Sequence, residues 1–430
     1  MNPKILLVNP PIHDFTAYDF WIKPYGMLSV AGFLRHKAEF ALFDYLDRRH
    51  PSVFGESEFK PDKWGRGKFP QQIMEPPQPL KGIDRYFRRI GLARDLFADF
   101  LKLQDFDFVF IQTVMTYWYL GVEEVIEDIR KFQPHAKIIL GGNYVTLCPE
   151  HANSLGADFL SVGWELGPLW EYLNIEPDLN QPALWEVYDN LATGAIKITD
   201  GCPFNCTYCS VPKVYGFFKK RPVERVIAEI VLLKKRGAEN IAFYDDALLH
   251  KADGILIPFL EQVMREDIKV NFHTPNALNA RFITKELAEI LVRSGFKTFY
   301  LGFESSNVKW QKMTGSKVFS EELAAAVENL KSAGADCNDI TAYQILGHPN
   351  SDTQMLEESM HFVNSLGIRG MLADFSPIPG TPDGDACSKW VDMNEPLLHN
   401  KTAFAIIHLG FDESNRLKDL QRKLNNKLRQ

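Results

Sequence analysis

The stretch Gly201-Cys202-Pro203-Phe204-Asn205-Cys206-Thr207-Tyr208-Cys209 carries a C-x3-C-x2-C array. It holds three of the chain's six cysteines, while Cys148, Cys337 and Cys387 stand apart. Immediately upstream, Ala195–Thr199 is an apolar run that reads as a strand, so the array lies on the loop at a strand's C-terminal end. Three thiolates there can hold three irons of a cubane [4Fe–4S] cluster and leave the fourth iron open. Zinc usually takes four N/S ligands, and no partner C-x2-C or nearby His supplies the fourth. Clustered cysteines in a long chain without an export signal point to metal or redox chemistry rather than to a disulfide framework.

Working outward from that loop, further strands fit Asn240–Tyr244, Lys269–Thr274, Lys297–Phe303, Ile340–Leu346 and Gly370–Phe375. Helices fit Val223–Arg236, Gly254–Arg265, Lys285–Ser294, Ser320–Ala333 and Thr353–Leu366. Val223, Val226, Ile227, Ile230 and Leu233 form one apolar stripe, as a helix packed on a sheet requires. Six consecutive βα units predict a partial (β/α)6 TIM-like barrel over 194–382, with its chemistry at the C-terminal ends of the strands. Residues 383–430 read as a C-terminal extension. Its charged helix Glu413–Arg429 carries Arg416, Lys418, Arg422, Lys423, Lys427 and Arg429, expected on a solvated face.

Residues 1–165 show the same alternation. Candidate strands are Lys4–Val8, Ala41–Tyr45, Asp107–Gln112, Lys137–Leu140 and Asp158–Val162, with helices such as Met27–Arg35 and Val122–Phe132 between them. This predicts an α/β, doubly wound, Rossmann-like domain. Residues 48–104 interrupt it and, with their aromatics, read as an ordered insertion. Residues 166–193 read as a linker. In a doubly wound sheet ligands bind at the strands' C-terminal ends. Those ends here are Asn9-Pro10-Pro11, Gln112-Thr113-Val114-Met115-Thr116, Gly141-Gly142-Asn143-Tyr144 and Gly163-Trp164-Glu165. Their small and hydroxyl residues leave room for a flat or extended cofactor. No G-x-G-x-x-G is present, which argues against a dinucleotide.

With 430 residues, 45% apolar and 24% charged, the chain is globular, not disordered or fibrous. A net charge of −7 gives no footprint for duplex nucleic acid. No apolar run reaches the ~20 residues that span a bilayer. The short run Ile5–Val8 reads as a buried strand rather than a signal peptide, so a cytoplasmic location is expected.

The cysteine array, with Tyr208 beside the third cysteine, resembles the radical S-adenosylmethionine (SAM) superfamily, and the resemblance extends over about 195–382. It implies a [4Fe–4S] cluster on Cys202, Cys206 and Cys209 whose open iron is chelated by SAM. It also implies reductive SAM cleavage and a one-electron donor of flavodoxin or ferredoxin type as partner. By the same resemblance Tyr208 lies near the adenine, and Tyr244, Asp245 and Asp246 end the second strand against the methionine amine. Asn276 ends the third strand. Glu304, followed by Ser305, is the carboxylate that binds the ribose. Lys312 or Lys317 contacts the SAM carboxylate, and the turns at Ile345, Gly347, Pro379 and Gly380 line the pocket. His348 reads as a turn histidine, and no catalytic residue is assigned.

Residues 4–165 resemble the cobalamin-binding domain that precedes the barrel in one large radical SAM class. The resemblance assigns Pro10, Thr113, Thr116, Gly141, Gly142, Gly163 and Glu165 to cobalamin. Two features depart from it: Trp164 replaces a small residue, and the D-x-H-x-x-G motif that supplies an axial histidine elsewhere is missing. His13 follows the first strand in a different context. Met115, Tyr117, Trp118 and Tyr119 fit either a corrin face or ordinary core.

The leading function by this resemblance is a cobalamin-dependent methyltransferase acting on an unactivated carbon. The same architecture also suits cyclisation, rearrangement or oxidation, with or without cobalamin. A methylthiotransferase would need a second cluster on three N-terminal cysteines, where only Cys148 stands, and an RNA-binding domain for which 383–430 is short. A cluster-based redox sensor would not cleave SAM.

Overall fold

The computed structural model describes residues 2–54 and 59–428. The chain is α/β and divides into two compact units: Met1–Ala195 with Glu224–Ala238 and Asn394–Asn400, and Ile196–Val223 with Glu239–Met393 and Lys401–Gln430.

The first unit contains strands β1 (Lys4–Asn9), β2 (Ile12–Asp14), β3 (Glu39–Asp44), β4 (Gln71–Met74), β5 (Phe87–Ile90), β6 (Phe108–Thr113), β7 (Lys137–Gly142) and β8 (Phe159–Ser161). Five of them form a parallel sheet in the order β3-β1-β6-β7-β8. The order reverses at β1, which is the switch point expected of a doubly wound sheet. Leu6, Val8, Val109, Ile111, Ile138 and Leu140 supply the core, as the near-continuous apolar runs of buried parallel strands require. The insertion 48–104 is ordered where described. It contributes β5, which pairs antiparallel with β2, and β4, which pairs antiparallel with β5, and Phe69 and Ile90 pack with Ile12 and Leu46 in a satellite core.

Residues 166–193, expected as a linker, are packed structure. They include helix Gly167–Leu173 and a buried Trp185. Glu186 pairs with Arg35, and the Tyr188 hydroxyl donates to Asp44 at 2.6 Å. Helix Val223–Lys235 carries the apolar stripe read from the sequence, yet from Glu224 on it groups with the first unit. Its Glu229 is fully buried and accepts from the Tyr25 hydroxyl at 2.8 Å and the Ala183 amide at 3.2 Å. A buried carboxylate needs such donors, and they fix which elements the helix packs against.

The second sheet begins with β9 (Thr193–Ile196). It continues through β12 (Asn240–Phe243), β13 (Asn271–His273), β15 (Phe296–Glu304), β16 (Ile340–Leu346) and β17 (Arg369–Asp374), adjacent in that order. Between them lie the hairpin of β10 (Thr199–Asp200) and β11 (Lys219–Lys220), and the short β14 (Leu278–Asn279), which pairs with β15. The six-strand order is that of the expected partial barrel. Helices Lys401–Leu409 and Phe411–Lys427 close the chain. The second of these is not solvated all round. Leu417 and Leu424 pack on Leu346, Leu356 and Met360. Asn425 accepts from the Gly370 amide at 3.0 Å and donates to its carbonyl at 2.9 Å, covering the free edge of β17.

Candidate functional site

Strand β9 and the hairpin β10–β11 deliver the cysteine loop. Gly201 has φ +72, and a Cβ there would come within 2.8 Å of the Phe217 carbonyl, so only glycine fits between the hairpin and Cys202. Cys202, Cys206 and Cys209 are all partly buried, and burial raises each thiol, that of Cys209 to about 11. The Lys317 ammonium opposes that rise at all three. It reaches the loop from a turn in which Gly315 lies 3.2 Å, measured from its would-be Cβ, from the Cys206 Cα. Among the described residues no three His, Cys, Asp or Glu side chains converge as a single metal ion requires. A cubane places no such demand, because each thiolate binds its own iron. Three thiols sharing one cation therefore fit a cluster.

Lys317 Nζ also donates to Glu304 Oε1 at 3.2 Å. Although burial opposes it, the Glu304 carboxylate and the neighbouring thiols raise the lysine above its ordinary value. Glu304 ends β15 after a register shift between Gly302 and Glu304, and its φ is +64. A buried, non-glycine residue held in that region marks a position whose aim matters more than its backbone comfort. Tyr208 stacks on Trp310 with ring centroids 6.3 Å apart and meets His348 edge-on at 6.2 Å.

The remaining expected SAM positions divide. Asp245 is turned inward: its carboxylate accepts from the amides of Ile198 and Thr199 and from the Thr199 hydroxyl, and burial pushes it up to about 6. Asp246 pairs with Lys197 at 3.1 Å, and Lys197 lies 4.0 Å over the Tyr215 ring. Asn276 Nδ2 donates to the Tyr244 carbonyl at 3.0 Å, linking the ends of the second and third barrel strands. The Ser305 hydroxyl faces Ser359 at 3.4 Å, within helix Thr353–Ser365. Ile345 is partly buried near the end of β16. Gly347 lies under helix Lys401–Leu409, with its carbonyl 3.2 Å from His408 Nδ1. Pro379 is partly buried and Gly380 exposed, its amide donating to Asp385 at 2.6 Å. Lys312 is exposed. Thr207, Trp310 and Asp383, which contact the loop or its partners, carry no local signal in the sequence.

In the first unit, a narrow crevice at the C-terminal ends of β1 and β6 is lined in part by Pro10, Thr113, Met115 and Trp118. Thr113 Oγ1 donates to the Gly141 carbonyl at 3.1 Å. Gly142 has φ +123, and a Cβ on it would lie 2.0 Å from the Thr113 carbonyl oxygen. Its glycine is thus demanded by the strand ends themselves, whereas Gly141 faces only Ser161 Cβ at 3.5 Å. Gly163 borders open space, Glu165 is exposed, and Met115, Val162 and Trp164 are 40%, 46% and 43% exposed. Thr116 Oγ1 meets His399 Nδ1 at 3.0 Å.

Of the aromatic cluster, Tyr117 is buried, Trp118 donates to Asp14 at 2.9 Å, and Tyr119 stacks on Tyr144. Only Met115 of that group stands open. His13 lies on β2, 3.2 Å from Glu124, which Arg89 also holds. Cys148 packs against the first core, and burial pushes its thiol up to about 12.

Residues 196–363 match the family model for the radical SAM superfamily. Similar curated proteins include an uncharacterised methyltransferase of Pyrococcus horikoshii, 26% identical over 197 residues that cover 45% of this chain and 41% of that one. A threonylcarbamoyladenosine tRNA methylthiotransferase of Thermotoga maritima is 24% identical over 281 residues, 61% of this chain and 64% of that one. The chain thus spans less than two thirds of either relative's length. Among solved structures, the radical SAM methyltransferase TsrM of Kitasatospora setae, with cobalamin and a [4Fe–4S] cluster bound, matches at TM-score 0.64 and 14% identity. The match covers 94% of this chain and 85% of that one. It shows a shared fold. Among the described residues no helix is long and apolar enough to cross a membrane.

Proposed function

Residues 196–363 of this chain form a radical SAM domain, and from that premise we propose that the protein cleaves SAM reductively and, with cobalamin, methylates an unactivated carbon of its substrate. The observation that carries the reading is the Lys317–Glu304 pair set beside three partly buried cysteines on one loop. Bound there, a cluster supplies the electron for SAM cleavage, and cobalamin supplies the methyl group. Glu304 would accept hydrogen bonds from vicinal ribose hydroxyls, with Lys317 Nζ holding its Oε1 in place. Tyr208, held between Trp310 and His348, offers a ring face to the adenine. Asp245 holds the turn between β9 and β10, which keeps the cysteine loop in place. The open ends of β6, β7 and β8, with apolar Met115, Val162 and Trp164, suit the face of a large flat cofactor.

Anaerobic reconstitution tests the reading. About four irons and four sulfides per chain, lost when all three cysteines become alanine, are expected. Dithionite should then release 5′-deoxyadenosine from SAM, and a corrinoid should survive gel filtration. Absence of iron, or iron unchanged in the triple variant, overturns the cluster. SAM cleavage without corrinoid retention moves the function to cobalamin-free radical chemistry. A methylthiolated rather than methylated product would side with the Thermotoga maritima relative. Cys148, partly buried against the first core with a raised thiol, is poorly placed to ligate the second cluster expected of that chemistry.

A further inference from the structure

Among the described residues of the second unit, Asn279 Nδ2 is the one buried side-chain nitrogen without a hydrogen-bond partner. The residue is 8% exposed. Buried polar groups are almost always paired, so a buried donor with no acceptor marks a place where an acceptor is missing. The backbone holds this amide in place. Asn279 ends β14, and its Oδ1 accepts from the Arg281 amide at 3.2 Å, capping the turn Ala280–Phe282. That bond commits the oxygen and leaves the donor end of the side chain free. Arg281 in turn donates to the Ser316 carbonyl at 2.6 Å and to Glu322 at 2.8 Å, which fastens the turn after Asn279 to the loop that carries Lys317.

Asn279 stands opposite Gly302 where β14 pairs in parallel with β15. Side chains of residues paired across two strands lie on one face of the sheet. A Cβ at Gly302 would come within 2.9 Å of Lys317 Nζ and 3.2 Å of Glu304 Oε1. The unpaired amide and the Glu304–Lys317 pair therefore share a face, and Gly302 puts no side chain between them.

The chemistry of a ribose diol matches what this face offers. Each hydroxyl both donates and accepts. Glu304, as a carboxylate, only accepts, and the Lys317 ammonium donates to Glu304 itself. The diol oxygens want a donor, and Asn279 Nδ2 wants an acceptor. We propose that Asn279 is a further SAM-binding residue, whose amide donates to the ribose diol beside Glu304 and makes the site selective for a sugar that carries its hydroxyls. This rests on the radical SAM reading above. A site built to hydrogen-bond a hydroxyl rejects the analogue that lacks it, because its own buried polar groups are then left unpaired.

The test is anaerobic calorimetry on the reconstituted full chain with two probes, SAM and its 2′,3′-dideoxy analogue. Asn279→Asp keeps the oxygen that caps the Arg281 amide and removes the donor. Asn279→Leu removes the amide at similar volume and adds no charge. Both variants are expected to raise the Kd for SAM about 10-fold, and the Asp variant up to about 100-fold, because two acceptors then face the diol. For the dideoxy analogue both should lie within about 2-fold of wild type. Iron content should be unchanged in either variant. A wild-type Kd for SAM in Asn279→Asp would make Asn279 a cap alone and overturn the proposal, whatever the Leu variant does to folding. An equal loss for SAM and for the dideoxy analogue would overturn it as well, by removing the ribose from the contact. A wild-type protein that holds a cluster and binds no SAM fails the radical SAM reading first, and the role of Asn279 with it.

Discussion

His348 Nε2 donates to Asp383 at 2.9 Å, and both residues are buried. The direction is fixed, because His348 Nδ1 accepts from Trp310 Nε1 at 3.3 Å and from the Asn350 amide at 3.2 Å. Asp383 also receives the hydroxyl of Thr207, between Cys206 and Tyr208, and its own amide donates to the Thr207 carbonyl at 3.1 Å. The histidine read from the sequence as a turn residue is thus a brace that ties the end of β16 to the cysteine loop.

Asp383→Ala removes the acceptor for His348, Thr207 and Asn350 together. Each buried donor left unpaired costs ~1–3 kcal/mol, so a loss of at least ~2 kcal/mol is expected in urea unfolding. Iron bound on reconstitution should fall with it. A midpoint and iron content equal to wild type would show that the brace holds nothing.

Glu304→Ala should weaken SAM binding. Charge-assisted hydrogen bonds to ribose hydroxyls are worth ~1.5–3 kcal/mol, about 10- to 150-fold in Kd. Iron content should stay constant, because Glu304 contacts Lys317 rather than a cysteine. Calorimetry on the reconstituted protein checks this, and an unchanged Kd would move the ribose contact elsewhere.

Asp245 gives a pH dependence of a sign opposite to that of most carboxylates. Burial raises it from 3.8 to about 6, against the pull of Thr199 and Lys197. The folded state therefore holds the proton more tightly than the unfolded state. Its favourable contribution is complete below pH 4 and is lost as pH rises through 6. Asp245→Asn has no proton to lose. The stability of wild type relative to this variant should drop by about 3 kcal/mol from pH 4 to pH 7. Urea midpoints for both proteins across that range provide the measurement, and parallel profiles would contradict it.

Two adjacent glycines should behave differently. Gly142→Ala brings a Cβ to 2.0 Å from the Thr113 carbonyl at φ +123, whereas Gly141→Ala meets only Ser161 at 3.5 Å. The first should cost more than ~2 kcal/mol and the second less than ~1 kcal/mol in thermal unfolding of the first unit. Equal effects would mean that the strand ends relax around either residue.

The barrel strands were legible because each is a short apolar run closing on small or polar residues; Ile340–Leu346 coincides with its strand. Strand β2 is three residues long, and β5 sets Arg88 beside Arg89 in the middle of the run, so neither shows alternation. Leu417 and Leu424, seven residues apart, were a readable apolar stripe on the terminal helix that its charges concealed. The ties of Glu229 were not readable, since Tyr25 lies 204 residues away. Nor was the choice of Lys317 over Lys312, because which lysine reaches Glu304 depends on the turn at Gly315 rather than on composition.

His13 provides the test of the lower face of a bound corrinoid. Its Nε2 lies 3.2 Å from Glu124, which also takes Arg89 at 2.6 Å. Although burial opposes it, these hydrogen bonds pull Glu124 down to about 2. A histidine pinned to a buried carboxylate is engaged in structure, and freeing it to ligate cobalt would leave Glu124 with one partner fewer. Protein loaded with Co(II) cobalamin should therefore show no nitrogen superhyperfine splitting that His13→Ala removes. The variant should instead lose stability, by ~1–3 kcal/mol, through Glu124. Splitting present in wild type and absent from His13→Ala would assign the axial position to His13 and require the pair with Glu124 to open when cobalamin binds.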